Sequence, residues 1–267
     1  MSEITPEGRV PAEMIPPLDP SLLKLSDVET EFLHATITQD DEELQRRIVG
    51  VQKDDMYPYP CIRAFHYVSL MMCGNSIYPL AAGKSGNTRF LDLGCCMGSD
   101  VRKLAYDGYP VTNILECDLR QEYIDTGHKL YQDVLTSPIH FFTSNIFDVP
   151  VFFTATSTVT HIYTGALFHL FDEATQNAIA LGLAVLLKRE RGAIIFGRHC
   201  GLVKEGMIDD HLGRTRYGHS PTSWHKMWKN LFTEAECAEF AEEKVVINAN
   251  MVDGDSSIVS ARRGTFS

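Results

Sequence analysis

Through the middle of the chain, short apolar runs of four to six residues alternate with longer mixed segments. Residues 88–93, 113–118, 139–143, 159–164 and 193–197 read as strands. The stretches 99–107, 120–136 and 172–187 have helical spacing. Strand and helix in turn predict a parallel sheet covered by helices on both faces. Two further runs, 245–249 and 257–261, flank Asp253-Gly254-Asp255 and read as an antiparallel hairpin on the sheet edge. The count predicts a mostly parallel, seven-stranded sheet.

Before residue 87 the texture differs. Pro11, Pro16, Pro17 and Pro20 among polar residues predict an irregular arm, with helical order from Asp27 onward. DDEELQRRIVGV at 40–51 places acids before arginines, the order the helix dipole favours. YPYP at 57–60 stops it, and IRAFHYVSLMM at 62–72 reads as a largely buried helix. The expected organisation is an arm and helical lid over 1–86 and one compact α/β unit over 87–267.

Composition narrows the class. With 35 acidic against 24 basic side chains and a formal charge of -11, the surface repels nucleic acid and anionic lipid. No run is apolar and long enough to span a bilayer, and the N-terminus lacks the pattern of a secretory leader, so a soluble cytoplasmic protein is expected. Seven cysteines without a CxxC pair point to reduced thiols, and the absence of HExxH or a Cys/His spacing predicts no metal.

The chemistry starts at FLDLGCCMGSD, residues 90–100, at the carboxyl end of the first predicted strand, where α/β sheets hold their ligands. Gly94 and Gly98 suit a loop that lets a ligand approach the backbone. Cys96 stands where the dinucleotide fingerprint requires glycine, which argues against a nicotinamide or flavin site. Asp118 ends the next strand, 24 residues after Gly94, where one carboxylate can accept both hydroxyls of a ribose; it can also serve as a helix N-cap. Asn145, in SNIFDVP, reads as a pocket residue or a turn residue.

Asp92, Gly94 and Gly98 form D-x-G-x-x-x-G, which resembles the first motif of class I methyltransferases that use S-adenosylmethionine. HIYTGALFHLFDE resembles their fourth motif. YPYPCIRAFHY, DLRQEYID, GALFHLFDE, IIFGRHCG and RYGHSPTSWHKMW, in that order, are similar to small fungal secondary-metabolite methyltransferases of polyketide and meroterpenoid pathways. This likeness runs from about Tyr57 to Arg263. It implies a Rossmann-like class I fold, S-adenosylmethionine as cofactor, and cofactor contacts from Tyr57, Asp92, Gly94, Gly98, Asp118, Leu119, Asn145, Ile146 and Thr164. Cys96 in place of a middle glycine and His199 in place of glutamine depart from the pattern.

Methyl transfer from a sulfonium is an in-line displacement that depends on alignment in a dry site. The resemblance implies a small-molecule acceptor, most closely a carboxylic acid converted to its methyl ester; a pyrone enol or phenol is the alternative oxygen acceptor. Such folds are also recruited as cyclases, isomerases or pericyclases, or as non-catalytic subunits. His169 is the expected base or orienting donor, with a core histidine as the competing reading. Arg63 is expected to clamp a carboxylate through its planar fork, against a surface salt bridge. Trp224 and Trp228 read as a packing pair, the resemblance alone makes His199 and His219 candidate pocket residues, and a homodimer is the one protein partner considered.

Overall fold

The apolar runs of the middle segment form the sheet. In the computed structural model, which describes residues 17–52, 59–83, 88–148, 159–208, 215–252 and 257–264, five strands run parallel. They are β1 (Phe90–Leu93), β2 (Ile114–Asp118), β3 (His140–Thr143), β4 (His161–Gly165) and β5 (Ile194–Cys200), in the order β3-β2-β1-β4-β5. Burial on both faces explains why they read as continuous apolar stretches rather than alternating ones. A short two-stranded sheet, β6 (Gly206–Ile208) with β7 (Arg216–Gly218), stands apart.

Five strands are parallel, in a sheet of seven. The other two expected strands form the antiparallel hairpin, β8 (Val245–Val252) and β9 (Ser257–Gly264), with β9 paired to β5 from Ile194↔Arg263 to Cys200↔Ser257, which gives the order β3-β2-β1-β4-β5-β9-β8. Its turn at 253–255 lies outside the described residues.

Helices α1 (Asp27–Thr36) and α2 (Asp41–Gln52) precede the sheet. A capping box fixes the start of α1: Glu29 N–H donates to Ser26 Oγ, and Ser26 N–H donates to Glu29 Oε2 at 2.8 Å. The helix expected over 62–72 is instead a short α3 (Pro60–Arg63) followed by a 3-10 turn, His66–Val68. Phe65 breaks it with a left-handed backbone, φ 60°. Its apolar residues are buried as expected, but by a chain that turns rather than one that continues. After α4 (Tyr78–Ala81), the sheet is covered by α5 (Ser99–Tyr106), α6 (Gln121–Tyr131), α7 (Glu173–Leu186), α8 (Pro221–Ala235) and α9 (Ala238–Lys244).

One core lies between β1, β2, β4, β5 and helices α7 and α8, with Leu91, Ile162, Leu183 and Trp228 at its centre. A second joins the N-terminal helices to the sheet unit: Phe32, Ile48, Ile62 and Phe65 pack with Met97, Leu130 and Tyr131. Strand order reverses direction at β1, which has β2 on one side and β4 on the other. The loop after β1 thus opens at the switch point, where ligands of open α/β sheets bind.

Candidate functional site

The β1–α5 loop is held from three sides. Gly94 and Cys95 N–H groups both donate to Cys117 O, and Gly98 N–H donates to Cys95 O at 2.9 Å. At the apex Cys96 N–H donates to Asp118 Oδ2 at 2.8 Å. Three residues in this five-residue turn have left-handed backbones, Gly94 at φ 80°, Cys96 at 54° and Gly98 at 69°. Because its amides at 94, 95, 96 and 98 are taken within the fold, the loop is not a phosphate cradle.

Below the loop lies a buried arginine that sequence reasoning missed. Arg102 on α5 donates from Nη1 to Met97 O at 2.7 Å and Gly98 O at 3.0 Å. It also forms a two-point pair with Asp133, Nε to Oδ2 at 2.7 Å and Nη2 to Oδ1 at 3.0 Å. Its guanidinium lies 4.4 Å from the Tyr131 ring centroid and 4.9 Å from that of Phe141. Helix α6 closes in as well: a Cβ on Gly127 would lie 2.3 Å from Met97 O.

Gly98 is needed for a different reason than a ligand's close approach. A Cβ there would meet Glu116 Oε2 at 2.6 Å and Arg102 Nη1 at 2.8 Å. The glycine is imposed by the protein's own interior. A valine at this position would strain the fold itself, which corrects the expectation that Gly98 serves only the ligand. At Gly94 a Cβ would meet Leu167 Cδ1 at 3.3 Å.

Around this turn the fold gathers four carboxylates: Asp92, Asp100, Glu116 and Asp118. Register places Asp92 beside Glu116 across β1 and β2. Burial, with Asp100 and Asp118 nearby, pushes the Asp92 carboxyl well above its ordinary range. Burial also pushes Asp118 up to about 6, opposed by the N–H groups of Arg120 and Cys96 that it accepts and by the nearby Leu119 N–H. Asp100 accepts Met72 N–H at 2.9 Å and is pushed up to about 7 by burial. Glu116 is fully buried with no hydrogen-bond partner on either oxygen, and desolvation outweighs the attraction of Arg102, so its carboxyl is held well above the usual range.

This set fits a cationic ligand with a ribose. Asp118 spends one lone pair on each of Cys96 N–H and Arg120 N–H, the latter at 2.9 Å, and a carboxylate has about four. Arg102, the cation buried among these acids, is already matched by Asp133. A ligand bearing positive charge therefore relieves the excess acid, whereas a pyrophosphate would add to it.

The other expected residues fall as follows. Leu119 is exposed just beyond Asp118. Asn145 Oδ1 accepts Phe147 N–H at 3.1 Å, so its side chain builds the local turn, and half-buried Ile146 packs on the central core. Thr164 is buried within β4 against Gly197 of β5. Tyr57 lies outside the described residues. Arg63 is half-buried on α3, its carbonyl accepting from Gln52 Nε2 at 3.1 Å. Its neighbour Ile62 belongs to the N-terminal cluster, while Phe168, next to His169, belongs to the central one.

His169 is buried in a 3-10 turn, Phe168–Leu170, beyond β4. Its Nδ1 accepts Cys200 N–H at 3.3 Å. In the neutral ring this contact places the proton on Nε2. Further along the same strand ends, the buried rings of His199 and His219 pack on Trp224 with centroids 4.3 and 5.4 Å away.

No family model matches the chain. Its sequence is 33% identical over 186 residues to an O-methyltransferase of a fungal strain, covering 67% of this chain and 62% of that protein. To the asnovolin E/chermesin D methyltransferase of Aspergillus novofumigatus it is 32% identical over 179 residues, 66% of this chain and 64% of that protein. The matched region thus spans a little under two thirds of these relatives' length. The 1,6-didemethyltoxoflavin-N1-methyltransferase of Burkholderia thailandensis, solved with S-adenosylhomocysteine, superposes with a TM-score of 0.55 at 11% identity over 91% of this chain and 92% of that one. Magnesium protoporphyrin IX methyltransferase of Synechocystis, solved with S-adenosylmethionine, gives 0.51 at 15% identity over 91% and 100%. At these identities the structural likeness is one of fold.

Proposed function

We propose that this chain, similar in sequence to fungal methyltransferases and in fold to solved ones, is a class I S-adenosylmethionine-dependent methyltransferase that methylates a carboxylate of a small polyketide or meroterpenoid acid in fungal secondary metabolism. When bound, the cofactor supplies a methyl group made electrophilic by the sulfonium. Asp118 would hold the ribose hydroxyls with its remaining lone pairs. Asp92 and Asp100, whose carboxyls burial pushes up, would ionise more readily beside a bound cation, which favours a positively charged ligand.

The observation that carries the choice of acceptor is the tautomer of His169. With Nδ1 accepting Cys200 N–H, the ring offers Nε2–H, a donor suited to steering a carboxylate oxygen. A carboxylic acid, with a reference pKa of about 4, is ionised at neutral pH and needs orientation, not deprotonation. Arg63 is the proposed second partner of the acid, through its planar fork.

Incubation with isotopically labelled cofactor and a panel of carboxylic acids, pyrones and phenols tests this by mass spectrometry. The reading predicts an added methyl group that alkali releases as an ester, and a rate that varies little between pH 6 and 8. An alkali-stable ether whose formation is lost in His169→Ala would overturn it, and so would a product of unchanged mass, the mark of a recruited isomerase or cyclase.

A further inference from the structure

Two buried imidazoles lack something to bind. His199, on β5, and His219, just after β7, are 3% and 2% exposed, and neither Nε2 has a hydrogen-bond partner. The rest of each ring is fixed. His219 Nδ1 is paired with Ser223 Oγ at 2.9 Å, in the capping box that opens α8. His199 is wedged against Trp224, with Phe168 on another side at 5.8 Å between centroids. Tyr217 packs edge-on to His219 at 5.0 Å. Two backbone bonds, Leu202 N–H to His219 O and Tyr217 N–H to Phe171 O, and one side-chain bond, Arg216 Nε to His169 O, fasten this wall to the segments that follow β4 and β5.

A buried polar atom with no partner costs roughly 1–3 kcal/mol, so two in one wall call for a ligand group. Burial keeps both rings neutral, holding His219 down to about 4 and His199 well below its ordinary value, with the neighbouring histidines adding to the effect at His199. A neutral ring does not attract an anion. Whichever tautomer each ring takes, its Nε2 is either a bare lone pair or an unshared N–H. A hydroxyl is donor and acceptor at once, and satisfies both. Among the described residues, no group of three His, Cys, Asp or Glu side chains is placed to hold a metal ion.

We propose that His199 and His219 form a recognition site for a hydroxyl group of the acceptor molecule, separate from the carboxylate that His169 orients. The proposal rests on the methyltransferase reading and narrows its substrate to a hydroxylated acid. His199 lies at the carboxyl end of β5, where such folds admit a second ligand beside the cofactor, and His219, just after β7, is brought beside it through the shared Trp224 ring.

The test uses phenol as the hydroxyl probe and toluene as its apolar counterpart, with nitrogen-15 histidine NMR on the full chain. Millimolar phenol, but not toluene, should shift the Nε2 resonances of His199 and His219. His219→Phe should weaken phenol binding by about five- to tenfold while leaving S-adenosylhomocysteine affinity unchanged. Equal binding of phenol and toluene, or phenol binding that moves neither ring, would overturn the proposal. So would a methyl ether formed from phenol that requires His219, since the site would then be the reaction centre. If His219→Phe does not fold, the wild-type resonances and His219→Gln decide the question. Failure of wild type to bind S-adenosylhomocysteine would sink the methyltransferase reading alone.

Discussion

Acidification is a direct perturbation of the proposed cofactor site. Asp118, pushed up to about 6 by burial, must be ionised to accept ribose hydroxyls with both oxygens. If its proton must leave on binding, the apparent Kd scales as one plus ten raised to the difference between the group's pKa and the pH. That factor is about 1 at pH 7 and about 11 at pH 5, so affinity should fall roughly tenfold, about 1.4 kcal/mol, across that range. Asp100, at about 7, would add to the fall if it is linked to the same cation. Calorimetric titration with S-adenosylmethionine at pH 5, 6 and 7 measures this directly, because two buffers of different ionisation heat also count the protons released. Asp118→Asn should bind more weakly at pH 7 by roughly 1–3 kcal/mol, the cost of an unpaired buried partner. A wild-type affinity that changes less than twofold, or a variant that keeps the wild-type slope, would refute the assignment.

Three further outcomes follow from the packing around the loop. Asp118 is protonated more readily folded than unfolded, so its stability contribution is full below about pH 4 and lost as pH rises through about 6; urea denaturation of wild type against Asp118→Asn should therefore shift in the variant's favour, by up to about 3 kcal/mol, between pH 4 and 7. Glu116→Gln replaces a buried carboxyl, held well above its ordinary range by desolvation, with a neutral amide and should change stability at pH 7 by less than about 0.5 kcal/mol, whereas Arg102→Met strands the Met97 and Gly98 carbonyls and Asp133 and should cost about 3 kcal/mol or more. Gly127→Ala would gain about 1 kcal/mol from helix propensity alone, yet the Cβ would strike Met97 O, so the denaturation midpoint should fall by the equivalent of about 1–3 kcal/mol and cofactor affinity should fall with it.

The five parallel strands and the edge hairpin were legible because burial on both faces writes itself as unbroken apolar runs. So was the end of β2, where Asp118 closes such a run. The turn at Phe65 was not, since apolar periodicity reports that a residue is buried and not whether the backbone continues. Arg102 and Asp133 are 31 residues apart, and no local pattern announces a pair formed by tertiary packing. A signal for it did exist: Gly127 stands inside a helix where glycine is unfavourable, and close contact with a neighbouring backbone is the usual reason. Gly98 stood out in the sequence as a loop glycine, but the Glu116 carboxylate packed beneath it lies where a linear reading has no view. For the histidines, residue type was visible and protonation was not, because the tautomer of His169 depends on a strand 31 residues away.

Cys96 carries a side chain at φ 54°, a backbone conformation that costs a non-glycine residue roughly 1–2 kcal/mol. Its side chain packs into the apolar cluster built from α1, α2 and α3. Where a glycine would leave the turn relaxed and detached, the cysteine couples it to the N-terminal helices like a pin through two plates. Any displacement of those helices from the sheet strips Cys96 of its packing while leaving its backbone strain in place, so the turn loses its reason to hold that shape. Ordering of the N-terminal segment and geometry of the cofactor loop are thus one cooperative variable, and truncation before α3 should be felt at a loop more than thirty residues further along the chain.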